Sequence, residues 1–171
     1  DYTLENDVFS VKFYFSLDDK YFFEPSFEIP QRNFYNWSDI NKNQLDTILF
    51  NIGMIELISY WKLACPKKVY ISPFNLDSNQ ILWWKKLYFN GLGEFFYLNG
   101  IKENVNDFMD IICECDVACE KVDISLKGTT LVPIGGGKDS VVTVESLKNK
   151  MPIIPLIINP RGATTECAVT A

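Results

Sequence analysis

The run TTLVPIGGGKDS, which ends at Ser140, constrains this chain more than any other stretch of its 171 residues. An apolar strand over 131–134 leads into three consecutive glycines, Gly135, Gly136 and Gly137. Lys138, Asp139 and Ser140 then open a helix expected over 139–150. A second unbroken apolar run, 153–158, follows, so the segment reads as strand, helix, strand, the opening of a parallel sheet covered on both faces. Glycines without a Cβ let backbone N–H groups come close to an anion. The helix points its unpaired first-turn N–H groups and positive dipole end into the same loop. Lys138 adds a charge and Ser140 a hydroxyl, so every part of the segment suits a phosphate. The plain alternative is a structural turn with Asp139 as helix N-cap, but a cap alone asks for neither three glycines nor a lysine.

Two common phosphate loops do not fit. A Walker A loop needs Gly, four residues, then Gly-Lys-Ser/Thr, whereas Val132 stands at the first glycine and Asp139 follows Lys138. The dinucleotide fingerprint Gly-x-Gly-x-x-Gly matches at Gly135 and Gly137 and fails at Ser140. Through Gly135, Gly136, Gly137, Lys138, Asp139 and Ser140 the chain resembles the PP-loop ATP pyrophosphatases. That resemblance implies a loop that grips the pyrophosphate end of ATP while the bond between the α- and β-phosphates is cleaved and a substrate is adenylated.

Composition narrows the partners. The chain is 47% hydrophobic and 15% aromatic, enough for a packed core. Its net charge is −6, with a sequence pI near 4.7. An acidic chain without a Lys/Arg run is a poor binder of nucleic acid, and a small-molecule substrate is expected instead. No uninterrupted apolar run reaches membrane-spanning length. The amino terminus, DYTLE, shows neither a basic nor an apolar leader region. It also lacks Met, so the sequence is expected to begin inside a longer gene product. Five cysteines, an odd count, point to reduced thiols and a cytoplasmic setting. Cys113, Cys115 and Cys119 carry a faint metal-site spacing, but no Cys-x-x-Cys pair is present and the chain has no histidine. Ordinary buried or half-buried thiols are the expected reading. The lack of histidine also leaves proton transfer to carboxylates, Lys, Tyr, Cys or groups outside the chain.

Along the chain, 8–17 and 21–29 are aromatic and β-branched runs around Asp18-Asp19-Lys20, which predicts a hairpin with Pro25 at an edge or bulge. Residues 44–64 carry Leu45, Ile48, Leu49, Ile52, Ile55, Ile58 and Leu63 at helical spacing, predicting a long, largely buried helix ended by Pro66. A short strand is expected at 69–72, a helix over 80–90 stopped by Gly91, a turn or short helix over 104–110, and a strand near Ile124. The fold class expected is α/β. An aromatic-rich α+β module, 1–127, precedes the βαβ start of a parallel-sheet PP-loop ATP-binding domain, 128–171. Two parallel strands are too few to stand alone. Either further strands lie beyond this sequence or these two join the first module's sheet.

Two more segments, SYWKLACP ending at Pro66 and GLGEFFYLNG ending at Gly100, together with the loop, resemble the amino-terminal half of the UDP-N-acetylmuramoyl-L-alanyl-L-glutamate epimerases. The resemblance runs in patches over about 60–159 and implies ATP-dependent inversion of the terminal L-glutamate of a UDP-sugar dipeptide for peptidoglycan. AMP and diphosphate are the by-products, and ATP and Mg²⁺ the cofactors. It assigns Gly135, Gly136, Gly137, Lys138 and Ser140 to the β- and γ-phosphates. Asp139 either binds Mg²⁺ or caps the helix, and Asn159, past the second strand, contacts adenine or ribose. Lys62 and Glu94 are candidates for substrate contact or base, against solvated surface charges. Cys65 is a candidate proton-transfer thiol, against a residue at a helix end. Trp83-Trp84 and Phe95-Phe96-Tyr97 are expected in the core, with one ring free to stack on uracil or sugar. Another adenylating enzyme of the superfamily, for tRNA thiolation or nucleobase modification, and a non-catalytic nucleotide-binding module are the competing readings. Oligomeric state is not legible.

Overall fold

Turn chemistry organises the first thirty residues. Asn6 and Asp7 both take positive φ, 50° and 60°, the left-handed pair that a two-residue hairpin turn requires. They join β1 (Tyr2–Glu5) to β2 (Val8–Lys12), a hairpin that the sequence reading missed. The expected hairpin about Asp18–Lys20 forms, but each arm is broken in two. β3 (Phe15–Leu17) pairs with β4 (Tyr21–Phe23), and β2 pairs with β5 (Ser26–Pro30), both antiparallel. Pro25 falls in the break, its carbonyl accepting from Phe13 N–H at 2.9 Å, so the residue that cannot donate to a ladder sits outside one. This computed structural model describes residues 1–30, 41–123, 125–126 and 128–170. The strand expected near Ile124 lies outside the described residues.

Helix α1 (Lys42–Trp61) starts on Asn41, whose side chain accepts from Asn43 N–H at 2.8 Å. It stops three residues earlier than expected. Its buried face is Leu49, Phe50, Gly53, Met54 and Trp61, whereas Ile48, Ile52, Ile55 and Leu63 are exposed. The helix is apolar almost all round, so spacing alone cannot choose the inward face. Gly53 admits the ring of Phe13, whose atoms lie 3.0 Å from where a Cβ would stand. That contact helps seat Phe9 and Val11 of β2 against Leu49.

β6 (Lys68–Ile71) and β7 (Asp110–Cys113) run parallel, joined through α2 (Ser78–Gly91) and α3 (Gly93–Leu98). Asp77 starts α2 with a full capping box to Gln80. Met109, fully buried, lies in a core with Met54, Trp61, Trp84, Tyr88 and Phe96. Trp61 donates its indole N–H to the Pro66 carbonyl at 2.9 Å and meets Phe96 and Phe108 edge-on. Trp83 and Tyr97 correct the core expectation, because both face solvent while Trp84 and Phe96 are buried.

The third core is built by β8 (Thr130–Pro133), α4 (Lys138–Leu147), β9 (Ile153–Leu156) and α5 (Gly162–Thr170). β8 and β9 pair in parallel, in register from Thr130↔Ile153 to Pro133↔Leu156, and form a sheet of their own among the described residues. They do not add to the earlier sheets. Val132 and Ile134 pack with Val144, Leu147, Ile153 and Cys167. The opposite face is not covered as expected: Leu131 is 56% and Ile154 43% exposed. Helix α5 was not foreseen. The chain is mixed α/β and divides into two compact units, Asp1–Asp123 and Ile124–Ala171.

Candidate functional site

Strand β8 delivers the chain to Ile134, whose N–H still bonds the Leu156 carbonyl at 2.9 Å, and the three glycines then leave the sheet edge. Gly135 donates its N–H to Ser140 Oγ at 2.9 Å. Gly136 turns the backbone at φ +78°, where a side chain would be strained. A Cβ there would also stand 3.0 Å from Thr164 N and 3.1 Å from the carbonyl carbon of Ala163. The first turn of α5 thus walls one side of the loop. Gly137 is the N-cap residue of α4, extended at φ −92° and ψ 175°, with no side-chain cap and nothing within 4 Å of its Cβ position.

Capping by Asp139 is therefore not what the structure shows, since Asp139 lies within the first helical turn. The N–H groups of Ser140 and Val141 bond back to the Gly137 carbonyl. The four preceding amides, on Gly136, Gly137, Lys138 and Asp139, find no acceptor among the described residues. Four adjacent open donors at a helix start are an arrangement that suits an anion. Ser140 closes the loop by accepting from Gly135, and its hydroxyl proton meets no acceptor among the described residues. Lys138 Nζ lies 2.6 Å from Asp139 Oδ1, with both side chains 88% exposed. Such a pair is held weakly in water and parts readily for a ligand.

Asn159 adopts φ +50° in the turn after β9, a conformation Asn tolerates. Because β8 and β9 are parallel, this turn and the glycine loop leave the same sheet edge. Arg161 stands there as well. Its N–H and carbonyl both bond the Thr164 hydroxyl, at 3.0 and 2.7 Å, fixing the start of α5. Neither Arg161 nor Thr164 emerged from the sequence reading. The signal was local: a threonine three residues after the arginine, just before a helical stretch.

The upstream candidates belong to the other unit. Lys62 is the C-cap residue of α1 and Glu94 is in the first turn of α3; both are exposed and unpaired among the described residues. Cys65 sits at φ +48°, its N–H bonded to the Trp61 carbonyl at 2.8 Å, so it closes the helix end. Burial pushes its thiol pKa up, away from the thiolate form. Cys113 Sγ accepts from Leu76 N–H and Cys115 Sγ from Val117 N–H, each at 3.3 Å. All five cysteines are free and half-buried, and no group of three metal-ligating side chains occurs among the described residues.

A family model described as the MurL N-terminal domain matches residues 1–171. The chain belongs to that family. Over 109 residues it is 30% identical to the UDP-N-acetyl-alpha-D-muramoyl-L-alanyl-L-glutamate epimerase of Xanthomonas oryzae pv. oryzae (strain MAFF 311018). The match takes in 64% of this chain and 24% of that relative, so the chain spans about a quarter of the epimerase's length. No solved structure matches. In this MurL N-terminal domain no helix among the described residues is long and apolar enough to cross a membrane.

Proposed function

We propose that this chain is the amino-terminal part of an epimerase that consumes ATP to invert the terminal glutamate of a UDP-N-acetylmuramoyl dipeptide. The row of four open amides from Gly136 to Asp139 carries the proposal. Family membership and the likeness to the Xanthomonas epimerase support it. The amides and the N-terminal dipole of α4 hold the β- and γ-phosphates, Lys138 and Arg161 add positive charge, and the Ser140 proton reaches a phosphate oxygen. Asn159 contacts adenine or ribose from the same edge. The donor set also fits Mg²⁺, since one carboxylate, Asp139, together with phosphate oxygens suits an ion that keeps most of its waters. Bound there, Mg²⁺ would neutralise phosphate charge.

The chemistry follows from electrostatics. Taking the α-proton beside a free carboxylate puts two negative charges next to each other, about 4 kcal/mol of repulsion at 4 Å in a protein-like medium. Attack of the substrate's α-carboxylate on the α-phosphorus expels diphosphate, and the mixed anhydride so formed carries no charge on the carboxyl. The neighbouring C–H becomes acidic, a base removes the proton from one face, and a proton returns from the other. Water then cleaves the anhydride and AMP leaves. Lys62 and Glu94 remain the base candidates within this chain, while the raised pKa of Cys65 counts against its thiol. Reduced thiols fit a cytoplasmic setting.

A thermal-shift series with ATP, AMP, the UDP-sugar dipeptide and buffer tests the loop. ATP is expected to raise the melting temperature by linkage, and Lys138→Ala to weaken ATP about tenfold with little effect on AMP. Equal ATP affinity in wild type, Lys138→Ala and Ser140→Ala would overturn the assignment.

A further inference from the structure

Within the first unit, a cleft of about 560 Å³ lies between the β3–β4 hairpin, the carboxyl end of α1 and strand β6. Three properties define what it can hold. First, Tyr14 and Tyr70, residues that are 57% and 53% exposed, line it and stack on no other ring among the described residues. Tyr60, also lining it, differs: its ring is packed against Phe15 at 5.0 Å and Phe23 at 4.7 Å. Two exposed tyrosines without a ring partner are therefore available for stacking.

Second, the cleft borders a free strand edge. The carbonyls of Lys67 and Ile71 accept from Asp110 and Glu114 N–H at 2.7 and 2.9 Å. By strand alternation the backbone groups of Lys68 and Tyr70 point the other way. That edge carries no strand among the described residues. Third, the charged side chains are mainly acceptors: Asp18, Asp19 and Glu114 against one cation, Lys68, among the described residues. Glu114 and Ser72 stand at the carboxyl ends of the parallel pair β6–β7, where open α/β sheets present residues to ligands. Their side chains lie 3.4 Å apart, leaving the other Glu114 oxygen open.

Three carboxylates to one lysine make the cleft itself a poor seat for a diphosphate or a dicarboxylate dipeptide. In a UDP-sugar dipeptide only the uncharged ring suits it, and the two anionic arms must extend out of it. Exposed tyrosines, hydroxyl-accepting carboxylates and unpaired backbone amide groups match a neutral pyranose bearing an acetamido group. We propose that this cleft binds the N-acetylated sugar ring of the substrate. Tyr14 and Tyr70 stack on the ring, Asp18 and Glu114 accept from its hydroxyls, and the free edge of β6 pairs with its acetamido group. The identity of that sugar rests on the function proposed above; the chemistry of the cleft does not.

Saturation-transfer NMR on the 171-residue chain tests this with N-acetylglucosamine, uridine and L-alanyl-L-glutamate as separate probes. N-acetylglucosamine is expected to receive saturation, and Tyr14→Ala with Tyr70→Ala to cut it about fivefold. Glu114→Ala weakens it too, while Tyr21→Ala, exposed but outside the cleft, leaves it unchanged. The tyrosines replaced are more than half exposed, so unchanged melting temperatures are expected. Transfer to uridine or the dipeptide in place of the sugar overturns the proposal, as does sugar binding indifferent to the tyrosine pair. Measuring ATP affinity on the same samples separates the two readings. Loss of ATP binding alone sinks the phosphate loop, and loss of sugar binding alone sinks the cleft.

Discussion

Tyr88 shows how much one polar atom matters in a core that buries no charge among the described residues. It is 3% exposed, and its hydroxyl donates to the Met54 carbonyl at 2.6 Å, tying α2 to α1. Burial raises its pKa above the ordinary 10.0 because the phenolate would lose its hydration. The folded chain therefore keeps a proton that the unfolded chain releases. Stability from this group is whole below pH 10 and falls as pH climbs past 10. Tyr88→Phe is expected to cost about 1 kcal/mol at neutral pH and to flatten the alkaline loss. Urea unfolding at about pH 8 and about pH 11 checks both halves. Cys65 was legible as a residue at a helix end, because Pro66 follows it. Its positive φ was not, because a non-glycine residue in that region is imposed by its surroundings.

At the scale of elements, Gly136 and Gly137 are adjacent, identical in sequence and opposite in role. Gly136→Ala forces a Cβ into the first turn of α5 at positive φ, and a loss of about 1–3 kcal/mol is expected. Gly137→Ala meets nothing, and only the poorer N-cap, about 0.5–1 kcal/mol, is expected to be lost. Chemical denaturation of the two variants, with NMR of residues 161–167, checks the contrast. The strand–loop–helix order around these glycines was readable, since apolar runs and glycines are local signals. Which glycine is packed was not, because the neighbour that decides it, Thr164, is distant in sequence. Helix α1 teaches the same lesson: its existence was clear from Leu45 onward, but its inward face was settled by the β2 sheet and the ring of Phe13.

At the scale of the whole molecule, the two compact units have separate cores, and the proposed ATP cradle lies in the second. ATP is expected to slow amide exchange over 136–144 and to leave 84–111 unaltered, as read by hydrogen-exchange mass spectrometry. Uniform protection, or none, would contradict a cradle confined to the glycine loop. The exposed face of Leu131 and Ile154 is the surface that a parallel sheet ordinarily covers. Sequence alone determined the order of strand, glycines and helix, the lack of histidine, the acidic balance and most helix positions. Each of these follows from composition or from short-range steric and hydrogen-bonding rules. Tertiary structure alone decided which amides stay open, which face of α1 is buried, and that Tyr14, Tyr70 and Glu114 share one cleft. Those outcomes depend on contacts between residues far apart along the chain, and periodicity carries no record of them.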